Sequence, residues 1–454
     1  MSEYNSNISN DALSTLCEEL RKNTQINPDF YQRFDVKRGL RNADATGVLA
    51  GLTRVCSVEG YYIDDGEKVP KQGRLIYRGI SMSDIVENCE KENRFGYEEV
   101  VWLLLFGSLP TMEQLQWFCN LLAECRDLPE DFIEDMIMKA PSPDVMNKCA
   151  RSVLALYSYD HNPDDISPEN VLRQSIQLIA QLPTIMTAAY QVKRRAYDKK
   201  SMFFHQNKKE LGTAENILRS IRPDKFFTDE EAKLLDICMI IHAEHGGGNN
   251  STFATRCVTS SGTDTYSAIA AGIGSLKGPR HGGANIKVYK MVEDIKNNVA
   301  NITDEGQVAD YLTKIMNKEA GDGSGLIYGM GHAVYTLSDP RAVILRKYAE
   351  SFSKNLGCEE EYILLHLIET LTPELFAKNR GSKKKICANV DLYSGLIYRM
   401  LGIPKELYTP LFASARVAGW CAHRIEEILT SSKIIRPAYK TNYFIRDYVP
   451  MSDR

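Results

Sequence analysis

Eight histidines occur in the 454-residue chain, and four stand among glycines or helix-end signals: His242 and His245 in HAEHGGGNN, His281 in LKGPRHGGAN and His332 in GMGHAVY. Any one histidine is more often a surface or core residue than a functional one, but four in such settings suit proton transfer or polarisation near neutral pH. His242 and His245 lie three apart at a helix C-terminus and share a face. A metal site there needs a third ligand such as Glu244 or His281, and the spacing departs from the i, i+4 pair plus glutamate of HExxH sites, so no metal is expected. The triple glycine after His245 ends a helix instead of opening one, and neither GxGxxG nor GxxxxGK[ST] occurs, which argues against a nucleotide phosphate loop. Asp391, in ICANVDLYSGLIYRMLG, opens an apolar helix, where the ordinary reading is an N-cap whose carboxylate accepts backbone N–H bonds. Arg341 follows an Asp339-Pro340 helix start. Arg416 lies in the apolar LFASARVAGWCAHRIEE, where an unpaired guanidinium is costly; it needs an anion, either an internal Asp or Glu or the carboxylates of a ligand.

The elements that must hold these residues are mainly helical. Apolar spacing marks helices over Tyr97–Phe106, Thr111–Arg126, Asn170–Gln191 (interrupted at Pro183) and Glu230–Ala243. Asp339-Pro340 and Thr409-Pro410 each read as an N-cap followed by proline at the first helical position. Asp264–Lys277 is helical but rich in alanine and glycine, which permits close packing in an interior. Short alternating segments between Thr53 and Gly79, around Asp65-Gly66, Pro70 and Gly73, read as a small β-hairpin region and the only sheet. The first 45 residues form a peripheral helix around Leu13, Leu16 and Leu20 plus a tether. Gly323–Gly325 and Asn379–Lys385 are the most linker-like internal stretches.

Composition narrows the setting. Lys plus Arg number 55 against 59 Asp plus Glu, a net charge of -4, which offers no general basic field for nucleic acid or an anionic membrane. The eleven cysteines include no CxxC pair, so neither a zinc site nor a disulfide framework is expected, and buried reduced thiols such as Cys238 and Cys421 fit a cytoplasmic protein. The N-terminus lacks the features of a secretory signal or transit peptide, and the longest apolar run, Val100–Phe106, is too short to span a bilayer.

Taken together and in order, HAEHGGGNNSTF, DTYSAIAAGIGSLKGPRHGGAN, GMGHAVYTLSDPRA, NVDLYSGLIYRMLGIP and TPLFASARVAGWCAHRIEE resemble citrate synthase, with GRLIYRGISMSDI and EEVVWLLLFGSLPT upstream. The similarity runs from about Gly47 to about Tyr439. It implies an almost all-helical homodimer in which a smaller mobile domain closes over oxaloacetate and acetyl-CoA, with no metal and no permanent cofactor. The domains expected are an extension over 1–46, a large domain over 47–284 and 389–454, and a small domain over 285–388, hinged near Asn285 and Asn389.

The resemblance gives roles to named residues. His281 would hydrogen-bond the thioester carbonyl as its enol forms, Asp391 would take the methyl proton, and His332 would polarise and protonate the oxaloacetate carbonyl. His245, Arg341 and Arg416 match positions that grip the dicarboxylate, with Asn249 in support and Arg436 of KIIRPAY reaching across the dimer. Gly325, Leu326, Ile327, Tyr328, Gly329, Met330 and Gly331 correspond to the adenine-recognising loop, and Lys384 or Lys385 would meet CoA phosphates. Three departures stand out. Thr336 replaces a usual Lys or Arg, Arg280 puts a charge before His281 where an apolar residue is usual, and Ala388 replaces a proline. The expected reaction is condensation of acetyl-CoA, oxaloacetate and water to citrate and CoA. Its rivals are the same chemistry on propionyl-CoA, giving 2-methylcitrate, and a non-catalytic sensor of CoA or dicarboxylate.

Overall fold

The computed structural model describes residues 8–42, 44, 46–380, 385–430, 433–442 and 445–454. They fall into two units, Met1–Ala50 with Arg436–Arg454, and Gly51–Ile435. The first holds the expected N-terminal helix, Asn10–Thr24, capped by Ser9, with Leu13, Leu16 and Leu20 all exposed. Within it the Lys440 ammonium lies 5.7 Å from the Phe34 ring.

The second unit carries the core and is helical apart from one antiparallel sheet of three strands: β1 (Cys56–Asp64), β2 (Glu67–Tyr77) and the short β3 (Ile80–Ser81), in that spatial order. Asp65 and Gly66 form the hairpin turn, both with positive φ, the backbone that a tight twisted hairpin requires. Pro70 and Gly73 are not turn residues. They lie inside β2, flanking a bulge where Glu59 pairs with Arg74 and Tyr61 with Pro70. A bulge is the one place a strand tolerates proline, and it lets the strand bend. The bend matters for the site, because the sheet carries the segment after His332. A Cβ on Gly60 would come within 2.6 Å of the Val334 carbonyl oxygen, and one on Gly73 would collide with the Ser338 carbonyl. Glycine at both positions permits the approach.

Two helices run through the interior. Asp229–His242 is buried along almost its whole length, and Tyr408–Thr430 is buried without a break from Tyr408 to Arg424. A helix that is apolar all round must be enclosed, and the second is, by Tyr97–Phe106, Pro168–Ala196, Asn250–Thr259 and Asp229–His242. Trp420 at its centre is fully buried and donates to Ser251 Oγ at 3.1 Å. Truncation to alanine there costs about 3–5 kcal/mol.

Tertiary packing changes two of the expected boundaries. Pro168–Ala196 runs straight through Pro183, because a helix buried on both sides of the proline outweighs the roughly 3 kcal/mol of the lost bond and ring clash. Thr409 is not an N-cap either. The helix starts at Tyr408, after a 3₁₀ turn over Lys405–Leu407, and the Thr409 hydroxyl donates to the Gly282 carbonyl at 3.1 Å. Asp339 does cap the Pro340–Ser353 helix, with proline at its first position. Cys238 and Cys421 are buried. Among the described residues no helix is long and apolar enough to cross a membrane.

Candidate active site

The ends of the buried helices deliver the polar residues to one place. Asp229–His242 stops at its C-cap Ala243, leaving Glu244 and His245 in the turn that follows. Asn249 then N-caps Asn250–Thr259, its side-chain oxygen accepting from Ser251 N at 3.2 Å. That oxygen also lies 3.0 Å from His281 Nε2, which is equally close to Ser251 Oγ. Two sequence-distant candidates, Asn249 and His281, are thus in direct contact.

His332 is oriented by its own turn. Its Nδ1 accepts from Val334 N at 3.0 Å and from Tyr335 N at 3.1 Å. Two donors on Nδ1 put the ring proton on Nε2, so the imidazole presents an N–H donor on its other edge. The ring stacks on Tyr335 (centroids 4.6 Å, 24°) and stands edge-on to His245 (5.1 Å, 84°). The Arg341 guanidinium lies 5.9 Å from the Tyr335 ring. Arg341 is itself fixed by a two-point ion pair, Nε and Nη2 to the two Asp339 oxygens at 3.0 and 2.7 Å.

Asp391 is not the cap of its helix. Asn389 is: its side-chain oxygen accepts from Asp391 N at 3.0 Å, and its amide donates to the Gly331 carbonyl at 2.9 Å. Gly331 N donates to the Cys387 carbonyl at 2.7 Å, and Asn389 N to Gly329 at 2.8 Å, so the 325–331 loop and the NVD segment are stitched together. With the capping done by Asn389, the Asp391 carboxylate is released for other work. The residue is half-buried, but Oδ1 is shut from solvent and has no hydrogen-bond partner. Burial lifts its pKa to about 7, with Asp339 adding to the rise while Arg341 and Arg416 oppose it.

Arg416 is fully buried. Its Nε donates to the His242 carbonyl at 2.6 Å, and its plane lies 4.6 Å from the Phe412 ring. Nη1 and Nη2 have no partner, and among the described residues no carboxylate lies within ion-pair distance of it. Burial pulls its pKa down to about 10 while Glu244 works against the fall. Burial likewise pushes His242 and His245 well below the ordinary histidine range, reinforced for both by Arg341 and Arg416, and brings His281 to about 4. His332 and His281 also lower the pKa of His245. The result is neutral imidazoles, one carboxyl poised near neutrality and two guanidiniums, with unfilled hydrogen-bonding capacity on His242, Glu244, His245, Asp391 and Arg416. Orphaned buried donors of this kind mark space for a polar ligand or water, and here the free donors suit a dianion.

In the 325–331 loop Ile327 is buried and Leu326 exposed, and the Tyr328 hydroxyl donates to Asp322 at 2.7 Å. Lys385 is exposed; Lys384 lies outside the described residues. Arg436 is exposed and belongs to the unit of the chain ends. Arg280 is exposed and is not among the causes of the His281 shift, while the Thr336 hydroxyl is buried without a hydrogen-bond partner. Ala388 bridges Met330. Among the described residues no group of three His, Cys, Asp or Glu side chains is arranged to hold a metal ion. Sequence reasoning missed Tyr335, which backs His332, the buried His423 and the half-buried Arg256, and it weighed Glu244 only as a metal ligand. A signal existed for Tyr335, three residues after His332, and for Glu244, an acid next to His245 at a helix end, but none for His423 or Arg256.

Known proteins resemble this chain over most of its length. The family profile described as citrate synthase, C-terminal domain, matches residues 43–438. A citrate synthase of Synechocystis sp. is 36% identical over 419 residues, covering 90% of this chain and 92% of that protein. A 2-methylcitrate synthase of Corynebacterium glutamicum is 32% identical over 425 residues, covering 92% and 98%. Among solved structures, the ternary complex of carboxymethyl coenzyme A and oxaloacetate with citrate synthase from Thermoplasma acidophilum aligns with a TM-score of 0.74 at 25% identity, over 92% of this chain and 99% of that one. On the profile match and the full-length relatives, this chain belongs to the citrate synthase family.

Proposed function

We propose that the chain condenses acetyl-CoA with oxaloacetate and water to give citrate and CoA, with the clustered residues in the following roles. The observation that carries the reading is Asp391, whose Oδ1 is shut from solvent and unbonded and whose pKa is about 7 in the field of two guanidiniums. The methyl protons of a thioester are weakly acidic, so a base must be held dry and near neutral pKa while the carbonyl oxygen is stabilised. Asp391 removes the methyl proton as His281, an uncharged imidazole, hydrogen-bonds the carbonyl oxygen that becomes the enol. The enol carbon attacks the keto carbon of oxaloacetate, and His332 gives its Nε2 proton to the resulting alkoxide. Water then cleaves the C–S bond of citryl-CoA, releasing the CoA thiol and the new carboxylate.

His245, Arg341 and Arg416 bind the two carboxylates of oxaloacetate, with Asn249 keeping His281 in place. The free Nη1 and Nη2 of Arg416 support that assignment. Arg436 completes the grip from the partner subunit of a homodimer. The loop 325–331 receives adenine and Lys384 or Lys385 the phosphates, with no permanent cofactor. The small domain, 285–388, closes on the large one around Asn285 and Asn389; superposable apo and oxaloacetate-bound structures would rule that movement out. The setting is the cytoplasm, and the reaction is the entry step of the tricarboxylic acid cycle. The 2-methylcitrate synthase relative keeps propionyl-CoA in view, since one methylene changes discrimination by only about 1–3 kcal/mol. The test is product analysis with the two acyl-CoAs in competition. Citrate in excess supports the assignment, and 2-methylcitrate in excess replaces it.

A further inference from the structure

Beneath the site runs a row of buried and half-buried polar groups that the roles above do not use. Glu244 is wholly buried. Its Oε1 accepts from Gly246 N at 2.5 Å and lies 3.1 Å from Nε2 of His423, itself fully buried. The other ring nitrogen of His423, Nδ1, is 2.9 Å from Arg256 Nη1. A guanidinium can only donate, so Nδ1 carries the lone pair and the proton sits on Nε2, pointing at Glu244. Arg256 is held in turn by Glu426 at 2.8 Å and Glu427 at 2.7 Å, and Glu426 accepts from Arg54 N at 2.7 Å.

The helix geometry ties this row to the site. Arg416, Gly419, His423 and Glu427 are spaced three, four and four apart on the Tyr408–Thr430 helix, so they form one stripe. A Cβ on Gly419 would collide with Glu244 Oε2. The carboxylate therefore lies flat on that stripe, between the imidazole that holds it and the guanidinium with the unbonded nitrogens.

We propose that Arg256, His423 and Glu244 form a positioning chain for the dicarboxylate pocket: Arg256 fixes the His423 tautomer, His423 holds the Glu244 carboxylate, and Glu244 supplies the buried negative charge beneath Arg416 and anchors the turn that presents His245. The inference rests on the reading that Arg416 and His245 bind oxaloacetate. Burial pushes the Glu244 carboxyl up, but His423 and Arg416 outweigh it and hold it below the usual carboxylate range. The other groups facing it are Cys56, Tyr77 and Arg78 from the sheet and its edge. Of these Tyr77 donates its hydroxyl to the Glu244 carbonyl at 3.2 Å. Without the His423 N–H, burial dominates, and the carboxyl takes up a proton as pH falls through its raised pKa. Oxaloacetate recognition is then lost on the acid side and retained on the alkaline side.

The experiment is steady-state kinetics and oxaloacetate titration calorimetry on His423→Gln, His423→Leu and Glu244→Gln, from pH 6 to 9. Glutamine offers a donor to Glu244 and an acceptor to Arg256, so His423→Gln should stay within about threefold of wild type. His423→Leu should raise the KM for oxaloacetate about tenfold or more, with the KM for acetyl-CoA little changed and a new acidic fall in kcat/KM for oxaloacetate. Glu244→Gln should raise the same KM about tenfold without the new acidic limb, and it serves if the leucine variant does not fold. His423→Gln impaired as badly as His423→Leu, or variants that change both KM values in parallel without a pH signature, overturn the proposal. A wild type that neither binds nor turns over oxaloacetate removes the functional reading instead.

Discussion

Arg341 meets its counter-ion two residues away, forming a two-point pair with Asp339 at the start of its own helix. Arg416, in the middle of a helix enclosed on all sides, has one N–H on a carbonyl and both terminal nitrogens unbonded. The same side chain in the same site thus has two thermodynamic characters. A buried pair roughly offsets its own desolvation, whereas a buried guanidinium with Glu244 near it but both terminal nitrogens unbonded stays undersatisfied until an anion arrives. The first is a fixed part of the scaffold, and the second is the one that the proposed binding of oxaloacetate would satisfy.

The variants that separate the two differ most in activity at the residue both arginines act on. Asp391→Asn should lower kcat by about 10²–10⁴, the usual worth of a positioned base, with folding intact by circular dichroism. If activity survives within tenfold, Asp391 is not the base. Next comes the arginine pair itself. Arg416→Leu should weaken oxaloacetate binding by about 30-fold to several thousandfold in calorimetry while the unliganded protein loses less stability than the Arg341 variant, since Glu244 keeps its bond from His423. Arg341→Leu should also lose binding but should be destabilised by about 3–5 kcal/mol in urea, since Asp339 is left charged and unpaired. Equal stability changes in the two variants break the comparison.

A smaller effect appears in pH dependence. The folded pKa of Asp391, about 7, lies above its unfolded value of about 3.9. Its contribution to stability is therefore full below about pH 4 and is lost as pH rises through 7. Wild-type protein should lose melting temperature between pH 5 and 8 relative to Asp391→Asn, while kcat/KM should rise over the same interval with a midpoint near 7. A flat profile would detach the base from this carboxyl. The smallest effects belong to the surface: Lys385→Ala should raise only the KM for acetyl-CoA, by a few-fold, and Arg280→Ala should change nothing beyond twofold, as its exposure implies.

Much of this was legible in the chain because glycine and cap signals mark where backbone stops being regular. They located His245, His281 and His332 between elements, and Asp339-Pro340 placed Arg341 correctly. The need of Arg416 for an anion followed from one charge in an apolar helix, though sequence left open whether the anion was internal. Capping rules pointed to Asp391 itself and could not tell that Asn389, two residues earlier, takes the role. Where long-range packing decides, local rules fail. Pro183 continues its helix because both flanks are buried, and Pro70 marks a bulge because the sheet must bend toward the 334–338 segment. In the Glu244–His423–Arg256 row, His423 stands more than a hundred positions from each of the residues it joins, so no spacing in the sequence announces the row.

The most direct measurement is CoA thiol release by the purified protein supplied with oxaloacetate and acetyl-CoA, each omitted in turn. Release that requires both substrates, with citrate recovered in equal amount, is the predicted result. Protein that binds oxaloacetate but releases no CoA would contradict catalysis and leave a sensor of dicarboxylates in its place.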